Sequence, residues 1–301
     1  MVGDQKPVKS RVVELWPKLC WGVIYWGPRR DVTLDTFNGR LTVDSKDWLI
    51  GKYLYVKRRH ETGEMESAIE LLEAEGYLPD LRSPKSVLNV GANIGMTAIG
   101  LVKNGYFKQA IAFEPTPNSY RLLVRNIDEN GLRDRIQHFP IALSSRDGEM
   151  ELELSRDNSG DNRIRLTQKP GFYSEEKRPT IKVPVRTLDG LVAENAALGD
   201  EPVGLVWVDI QGHEGQFFRG ARQYLRRGIP VVSEFWPYGI DRSGLSPSEL
   251  REIFAELFSH YYVLGVKPEQ KFPISGVDAL FRTYGGPREA CVILLLPVRP
   301  A

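Results

Sequence analysis

Gly91-Ala92-Asn93-Ile94-Gly95 is a glycine-spaced turn that follows a short apolar run, Ser86 to Val90. It passes directly into the helical pattern Ile94, Ala98, Ile99, Leu101, Val102. A strand, a tight turn and a helix N-terminus together bring backbone N–H groups to a ligand. Gly91 permits the turn and a close approach because it carries no Cβ. Asn93 is among the few non-glycine residues that tolerate left-handed dihedrals. Gly95 lets the helix pack close to its strand. Glu114 ends the next strand, about 20 residues on, the spacing at which a carboxylate meets a ribose. Together these residues predict a nucleoside-cofactor site.

In open α/β sheets, ligands bind beyond the carboxyl ends of the strands. Polar groups there take precedence: Ser144 and Ser145, Asp209 to Glu214, and Glu234 to Tyr238. Asp209 closes the buried run Leu205 to Val208, and His213 lies just past it. A histidine titrates near neutrality, so His213 is the first candidate general base and Asp209 the second. The plainer reading of His213 is a first-turn helix residue bonded to Glu214 or solvent. Glu234 precedes Phe235-Trp236-Pro237-Tyr238. That segment is either an acceptor pocket for a ring or sugar or a rim packed on the N-terminal arm. Asp209 and Glu234 hold Mg²⁺ only if a third oxygen ligand comes near; the spacing demands no metal. Asn158, Ser159 and Asn162 read as a turn, and His60, His138 and His260 as structural.

The elements that must position these residues alternate from Ser86 onward. Strands are expected at 86–91, 109–114, Ile136 to Leu143, Leu205 to Ile210 and Pro230 to Phe235. Helices are expected at 95–104, Pro117 to Asn130, Glu214 to Arg227 and Pro247 to Phe258. Met150 to Leu154 and Ile181 to Val185 are additional strands; Tyr261 to Val266 and Ala290 to Leu296 form a closing antiparallel pair. Alternation of this kind implies an α/β fold, a mostly parallel sheet with helices on both faces. Upstream, Asn38-Gly39 between alternating residues predicts a hairpin, and Glu66 to Leu72 a helix ended by Pro79. The division is thus an N-terminal extension of arm, hairpin and helix over residues 1–80, and a catalytic domain over 81–301.

The chain has 301 residues and a formal charge of +1, without the basic excess of an electrostatic nucleic-acid binder. Cys20 and Cys291 lie at opposite ends, which is neither a disulfide framework nor a zinc set. A reducing cytoplasm fits. No run approaches the ~20 apolar residues of a spanning helix. The nearest, Leu15 to Trp26, is broken by Pro17, Lys18 and Gly22. It is expected to pack on its own domain, with a membrane surface or a partner as the other destinations.

The run Leu88 to Gly95 resembles the first motif of the FkbM family of S-adenosylmethionine-dependent methyltransferases. So do Phe113-Glu114-Pro115, Asn126, Ala142-Leu143-Ser144 with Asp147-Gly148, Val183 to Asp189, and Val208-Asp209-Ile210-Gln211-Gly212-His213-Glu214. The resemblance covers roughly residues 60 to 265. It implies the class I methyltransferase (Rossmann-like) fold, a seven-stranded sheet with one antiparallel strand at its edge. It also implies S-adenosylmethionine as cofactor. Gly91, Ala92, Asn93, Ile94 and Gly95 would meet its methionine end, and Glu114 and Pro115 its ribose. Ala142, Leu143 and Ser144 would border the adenine, and Asp209 would hold the amino group or the acceptor. Asn89, Gln211 and His213 depart from the family pattern.

The expected function is O-methylation of a small molecule, with a sugar or polyketide-like acceptor implied by the resemblance. The alternative is a catalytically weakened cofactor-binding module, acting as a partner or regulatory subunit, motivated by Asn89 and Gln211. A nicotinamide dehydrogenase would need GxGxxG, and this turn has Asn93 at the middle glycine. The arm could also build a homodimer.

Overall fold

The computed structural model describes residues 8–78 and 85–298, with side chains from residue 16 onward. Pro79 and the boundary at residue 80 therefore lie outside the described residues. Helix α1 (Val8–Trp26) leads into the hairpin β1 (Asp31–Thr36) and β2 (Gly39–Asp44), followed by α2 (Leu49–Lys57) and α3 (Thr62–Ala74). Then come β3 (Ser86–Val90), α4 (Met96–Lys103), β4 (Gln109–Phe113), α5 (Pro117–Glu129) and β5 (Ile136–Phe139). An inserted segment carries β6 (Ala142–Leu143), β7 (Gly148–Glu153), β8 (Arg163–Ile164) and β9 (Thr180–Arg186). The alternation resumes with α6 (Leu188–Glu194), α7 (Ala196–Asp200), β10 (Val203–Val208), α8 (Glu214–Gly220), α9 (Arg222–Leu225) and β11 (Val231–Phe235). The chain closes with α10 (Pro237–Arg242), α11 (Pro247–Leu257), β12 (Phe258–Val263), β13 (Phe272–Pro273), α12 (Asp278–Thr283) and β14 (Cys291–Pro297).

The main sheet has the order β13-β12-β14-β11-β10-β3-β4-β5. β5, β4, β3, β10 and β11 are parallel, and β14 is antiparallel to both of its neighbours. Without the two-residue β13 this is the expected seven-stranded sheet. One detail differs: the antiparallel strand sits inside the edge, between β11 and β12. Every residue of β3 is buried, as is every residue of β10 except Val203, which explains their nearly continuous apolar runs. One core cluster joins α3, α4 and α5 to the hairpin and Trp21 of α1. A second lies on the opposite face under α8, α9 and α11, and a third, small one belongs to β6, β7 and β9. Helix α11 starts with a complete capping box between Ser246 and Glu249, which satisfies orphan N–H groups at its first turn.

Three local expectations are corrected. The run 136–143 is not one strand: β5 stops before Pro140, which has no N–H to continue the ladder, and Ala142–Leu143 joins a separate sheet of order β6-β9-β7-β8. The hairpin loop is Phe37-Asn38, with Gly39 already paired to Thr36. Asn38 is fully buried and donates to the carbonyls of His60 and Met96, so it ties the hairpin to α4. The helix after β10 is divided at Ala221, where Gly220 presses on the backbone of Ser144 and leaves no room for a Cβ. The arm is continuous helix through Pro17 and Gly22, and Trp21 packs it onto α2.

Candidate functional site

The carboxyl ends of β3, β4 and β10 meet around the glycine turn. Gly91 has φ +83°, and a Cβ there would lie 1.9 Å from the Asp209 carbonyl oxygen. Only glycine lets these two chain segments approach so closely. Asn93 is left-handed at φ +49°, as its residue type allows. The N–H groups of Gly91 and Ala92 both donate to the Phe113 carbonyl, at 3.0 and 2.9 Å. The Asn93 N–H donates to Glu114 Oε2 at 2.8 Å, and the Thr116 N–H to Glu114 Oε1 at 2.7 Å. The expectation that this turn offers free N–H groups is thus corrected for Gly91, Ala92 and Asn93, whose donors are spent on Phe113 and Glu114. What the turn contributes is a fixed shape. Glu114 is the clamp that fixes it, and burial raises its pKa. From below, Asn126 Nδ2 donates to the Ile94 carbonyl at 2.8 Å, while its Oδ1 accepts from the Thr42 N–H at 2.6 Å.

A cavity of about 270 Å³ opens on this turn. Gly91, Ala92, Asn93, Glu114, Pro115 and Asp209 line it, as do Ala142 and Leu143 further along. Ile94, Gly95 and Ser144 do not. Ile94 is buried in the core, and Gly95 is packed against Leu123 and Ile99. Ser144 lies behind the wall, fully buried. The loop residues Asn158, Ser159 and Asn162 are both turn and wall: Asn158 caps Gly160, and Ser159 Oγ donates to Asn93 Oδ1 at 3.2 Å.

At the end of β10 the cavity is acidic. Burial, reinforced by Glu61, raises Asp209 from 3.8 to about 6. Burial raises Glu61 to about 7 and Glu214 to about 8, and pushes Glu234 well above its ordinary value. Carboxyl groups in this state hold or release a proton near neutral pH. Gln211 Nε2 bridges Asp209 Oδ1 at 2.7 Å and Glu234 Oε2 at 3.1 Å. Glu214 Oε1 accepts the Ile210 N–H at 2.9 Å. Among the described residues, Asp209, Glu214 and Glu234 each offer an oxygen within 4.8 Å of the others, so Glu214 supplies the third ligand that a cation would need. The bridging Gln211 amide, a donor, occupies two of those carboxylates.

His213 and Glu234 stand elsewhere than expected. His213 is 2% exposed, its Nε2 lies 2.9 Å from Ser144 Oγ, and burial lowers its pKa to about 4. An imidazole so desolvated is a weak base, which argues against His213 as the first base. It lines the cavity beside Ala142 and Leu143. Glu234 does not reach the cavity wall; it stands behind Gln211. Trp236 and Tyr238 turn toward Tyr173, and the Arg163 guanidinium lies 4.8 Å from the Trp236 ring centre.

The sequence reading took His60 as structural and passed over Glu61; both line the cavity from the link between α2 and α3. Glu61 is left-handed at φ +52°, Gln211 at +56° and Asn93 at +49°, and all three line the cavity. Strained backbone gathered at one site is a recurrent mark of function. No spacing motif announces Glu61. The one available signal was the placement of adjacent His and Glu residues just ahead of a helix.

Residues 89–264 match the Methyltransferase FkbM domain, and the chain belongs to that family. It is 26% identical over 160 residues to the 2-O-methyltransferase NoeI of Sinorhizobium fredii, covering 50% of this chain and 62% of that protein. It is 24% identical over 184 residues to the methyltransferase sdnD of Sordaria araneosa, covering 54% of this chain and 71% of that one. The chain thus spans about three-fifths of the length of the first relative. Among solved structures, the FkbM methyltransferase of Methylobacillus flagellatus aligns with 13% identity and a TM-score of 0.43, over 95% of this chain and 60% of that one. TYW2 of M. jannaschii in complex with AdoMet aligns with 10% identity and a TM-score of 0.44, over 91% of this chain and 89% of that one.

Proposed function

We propose, from the chain's membership of the FkbM methyltransferase family, that it transfers a methyl group from S-adenosylmethionine to a hydroxyl of a small-molecule or glycosyl natural product. The observation that carries the reading is the placement of Asp209. Its backbone carbonyl is pressed against Gly91, and its carboxyl, raised to about 6, stands at the cavity within the field of Glu61. The residues fit the cofactor: a Cβ-free turn, an acid at the second strand's end, and carboxylates that suit a ligand bearing positive charge beside its nucleoside. When bound, the cofactor supplies an electrophilic methyl on a sulfonium whose charge is lost on transfer.

The chain's own residues do the rest. Glu114 holds the turn and would accept from the ribose with the acceptor capacity its two backbone bonds leave. Ala142, Leu143 and His213 would border the adenine. Asp209 orients the amino end or takes the acceptor's proton, and Glu61, at about 7 and on the same cavity wall, is a second candidate base. A base of this kind contributes roughly 10²–10⁴-fold. Alignment in the cavity contributes on the order of 7–11 kcal/mol at best. The similarity to NoeI, a 2-O-methyltransferase, supports oxygen as the acceptor atom.

Calorimetric titration with S-adenosylmethionine and S-adenosylhomocysteine, with NAD as control, tests the cofactor. Radiolabelled methyl transfer to a panel of glycosides tests the reaction. Micromolar binding of both sulfur nucleosides together with labelled product supports the reading. Binding without product on any acceptor favours the regulatory module, and binding of NAD alone overturns both.

A further inference from the structure

We propose that Glu61 and Asn89 hold the α-ammonium at the methionine end of the cofactor, which leaves Asp209 for the acceptor. The inference rests on the methyltransferase reading and deepens it. Asn89 is 1% exposed and lines the cavity from β3, two residues before Gly91. Its Nδ2 donates to the Trp207 carbonyl at 3.4 Å, which only the amide nitrogen can do, so the sense of the amide is set. The remaining atom, Oδ1, is buried and accepts no hydrogen bond among the described residues. A buried acceptor left without a donor is costly. One that belongs to a cavity wall points to a donor on the ligand.

Glu61 supplies the charge. Its Oε2 accepts from Thr97 Oγ1 at 2.9 Å, in the first turn of α4, and no described residue donates to its Oε1. His60 Nδ1 lies 3.6 Å from that Oε1, but burial lowers the His60 pKa, so the imidazole is neutral at pH 7 and brings no counter-charge. The hairpin fixes this segment: Asn38 accepts from the His60 N–H and donates to the His60 carbonyl, each at 3.0 Å. The N-terminal extension thus delivers a carboxylate to the cavity from outside residues 89–264, the part that matches the family domain. The balance of charge names the ligand group. Among the described residues that line the cavity, the only permanent cation is Arg163, and it is paired with Glu153 and Asp161. A carboxylate on the ligand would find no free N–H at Gly91, Ala92 or Asn93. A carboxylate oxygen and an amide oxygen, both without donors, suit a group that brings several N–H donors and a positive charge, and an ammonium does.

The test is calorimetric titration of the full chain with three ligands. They are S-adenosylhomocysteine, its deaminated analogue with 4-thiobutanoate in place of homocysteine, and its decarboxylated analogue, which keeps the amine. The parent should bind both amine-bearing ligands more tightly than the deaminated one. Glu61→Gln keeps the size of the side chain and an acceptor for Thr97. It should weaken both amine-bearing ligands by roughly tenfold or more and leave the deaminated analogue within about twofold of the parent. Asn89→Leu, which removes the unpartnered acceptor, should show the same selectivity. Equal losses on all three ligands overturn the proposal, because Glu61 and Asn89 then only shape the wall. Unchanged affinities in both variants overturn it as well. A parent that binds S-adenosylhomocysteine no better than the deaminated analogue overturns it without any variant and leaves the methyltransferase reading standing. A parent that binds none of the three overturns both.

Discussion

Gln211 Nε2 donates to Asp209 Oδ1 at 2.7 Å from a left-handed backbone, φ +56°, and the same nitrogen reaches Glu234. The amide stabilises the ionised form of Asp209 against the burial and the neighbouring carboxyl that push its pKa up. Gln211→Glu removes that donor and adds a like charge, so both effects raise the Asp209 pKa. The acid limb of the kcat/KM profile should move up by about one pH unit or more. A pH–rate series on parent and variant measures this. An unmoved limb would mean that Asp209 does not govern the rate.

Asp209→Asn should stabilise the protein at alkaline pH while abolishing most turnover. The folded carboxyl sits at about 6 against 3.8 when free, so the folded state binds more protons than the unfolded state between these values. Stability from this group is therefore full below its free pKa and is lost as pH rises through the folded one. The asparagine carries no such penalty and keeps an oxygen for Gln211. Its melting temperature relative to the parent should rise between about pH 4 and about pH 7 and then level off, a gain on the order of 1–3 kcal/mol. Thermal melts across pH check it; a variant uniformly less stable than the parent would remove the buried-charge account.

Asn126 is buried beneath the turn, tied to the Ile94 carbonyl and to both backbone groups of Thr42. Asn126→Leu strands these groups, at about 1–3 kcal/mol for each buried orphan. Lower stability is expected together with weaker cofactor binding, because the glycine turn loses its support. Glu114→Ala should do the same from the other side, freeing the Asn93 and Thr116 N–H groups. Melts paired with calorimetric titration separate the two effects. Cofactor affinity intact in both variants would mean that the turn keeps its shape without them.

Much of this was legible because the signals were local. The run ending at Val90, the turn at Gly91 and the acid at Glu114 each follow from one strand–turn–helix unit, and so the parallel strands other than β5 were placed to within a residue or two. The break at Pro140 was harder, because the apolar pattern of Ile136 to Leu143 continues across it while the chain changes sheets. Asn38-Gly39 gave the hairpin but the wrong loop, since Asn38 is drawn inward by the carbonyls of His60 and Met96. Glu61 and Gln211 acquire their meaning only in the folded cavity. The cavity that buries them, and with burial raises the pKa of Glu61, is built from segments far apart in the chain. His213 looked like a base because an isolated histidine titrates near neutrality; full burial beside Ser144 cancels that property.

His213→Leu tests this last reversal directly. Burial lowers the His213 pKa from 6.5 to about 4, so the imidazole is neutral at any pH where the enzyme is expected to work. Its deletion should leave the acid limb of the pH–rate profile in place, whereas Asp209→Asn should erase it. The Michaelis constant for the cofactor should rise severalfold, because the side chain lines the cavity beside Ala142 and Leu143. Stability gives an independent reading. A depressed folded pKa contributes stability that is full above 6.5 and lost as pH falls toward 4. The leucine variant should lack that loss, so its melting temperature relative to the parent should rise on acidification through this window. Disappearance of the kinetic limb in His213→Leu would restore histidine as the base and displace Asp209 from that role.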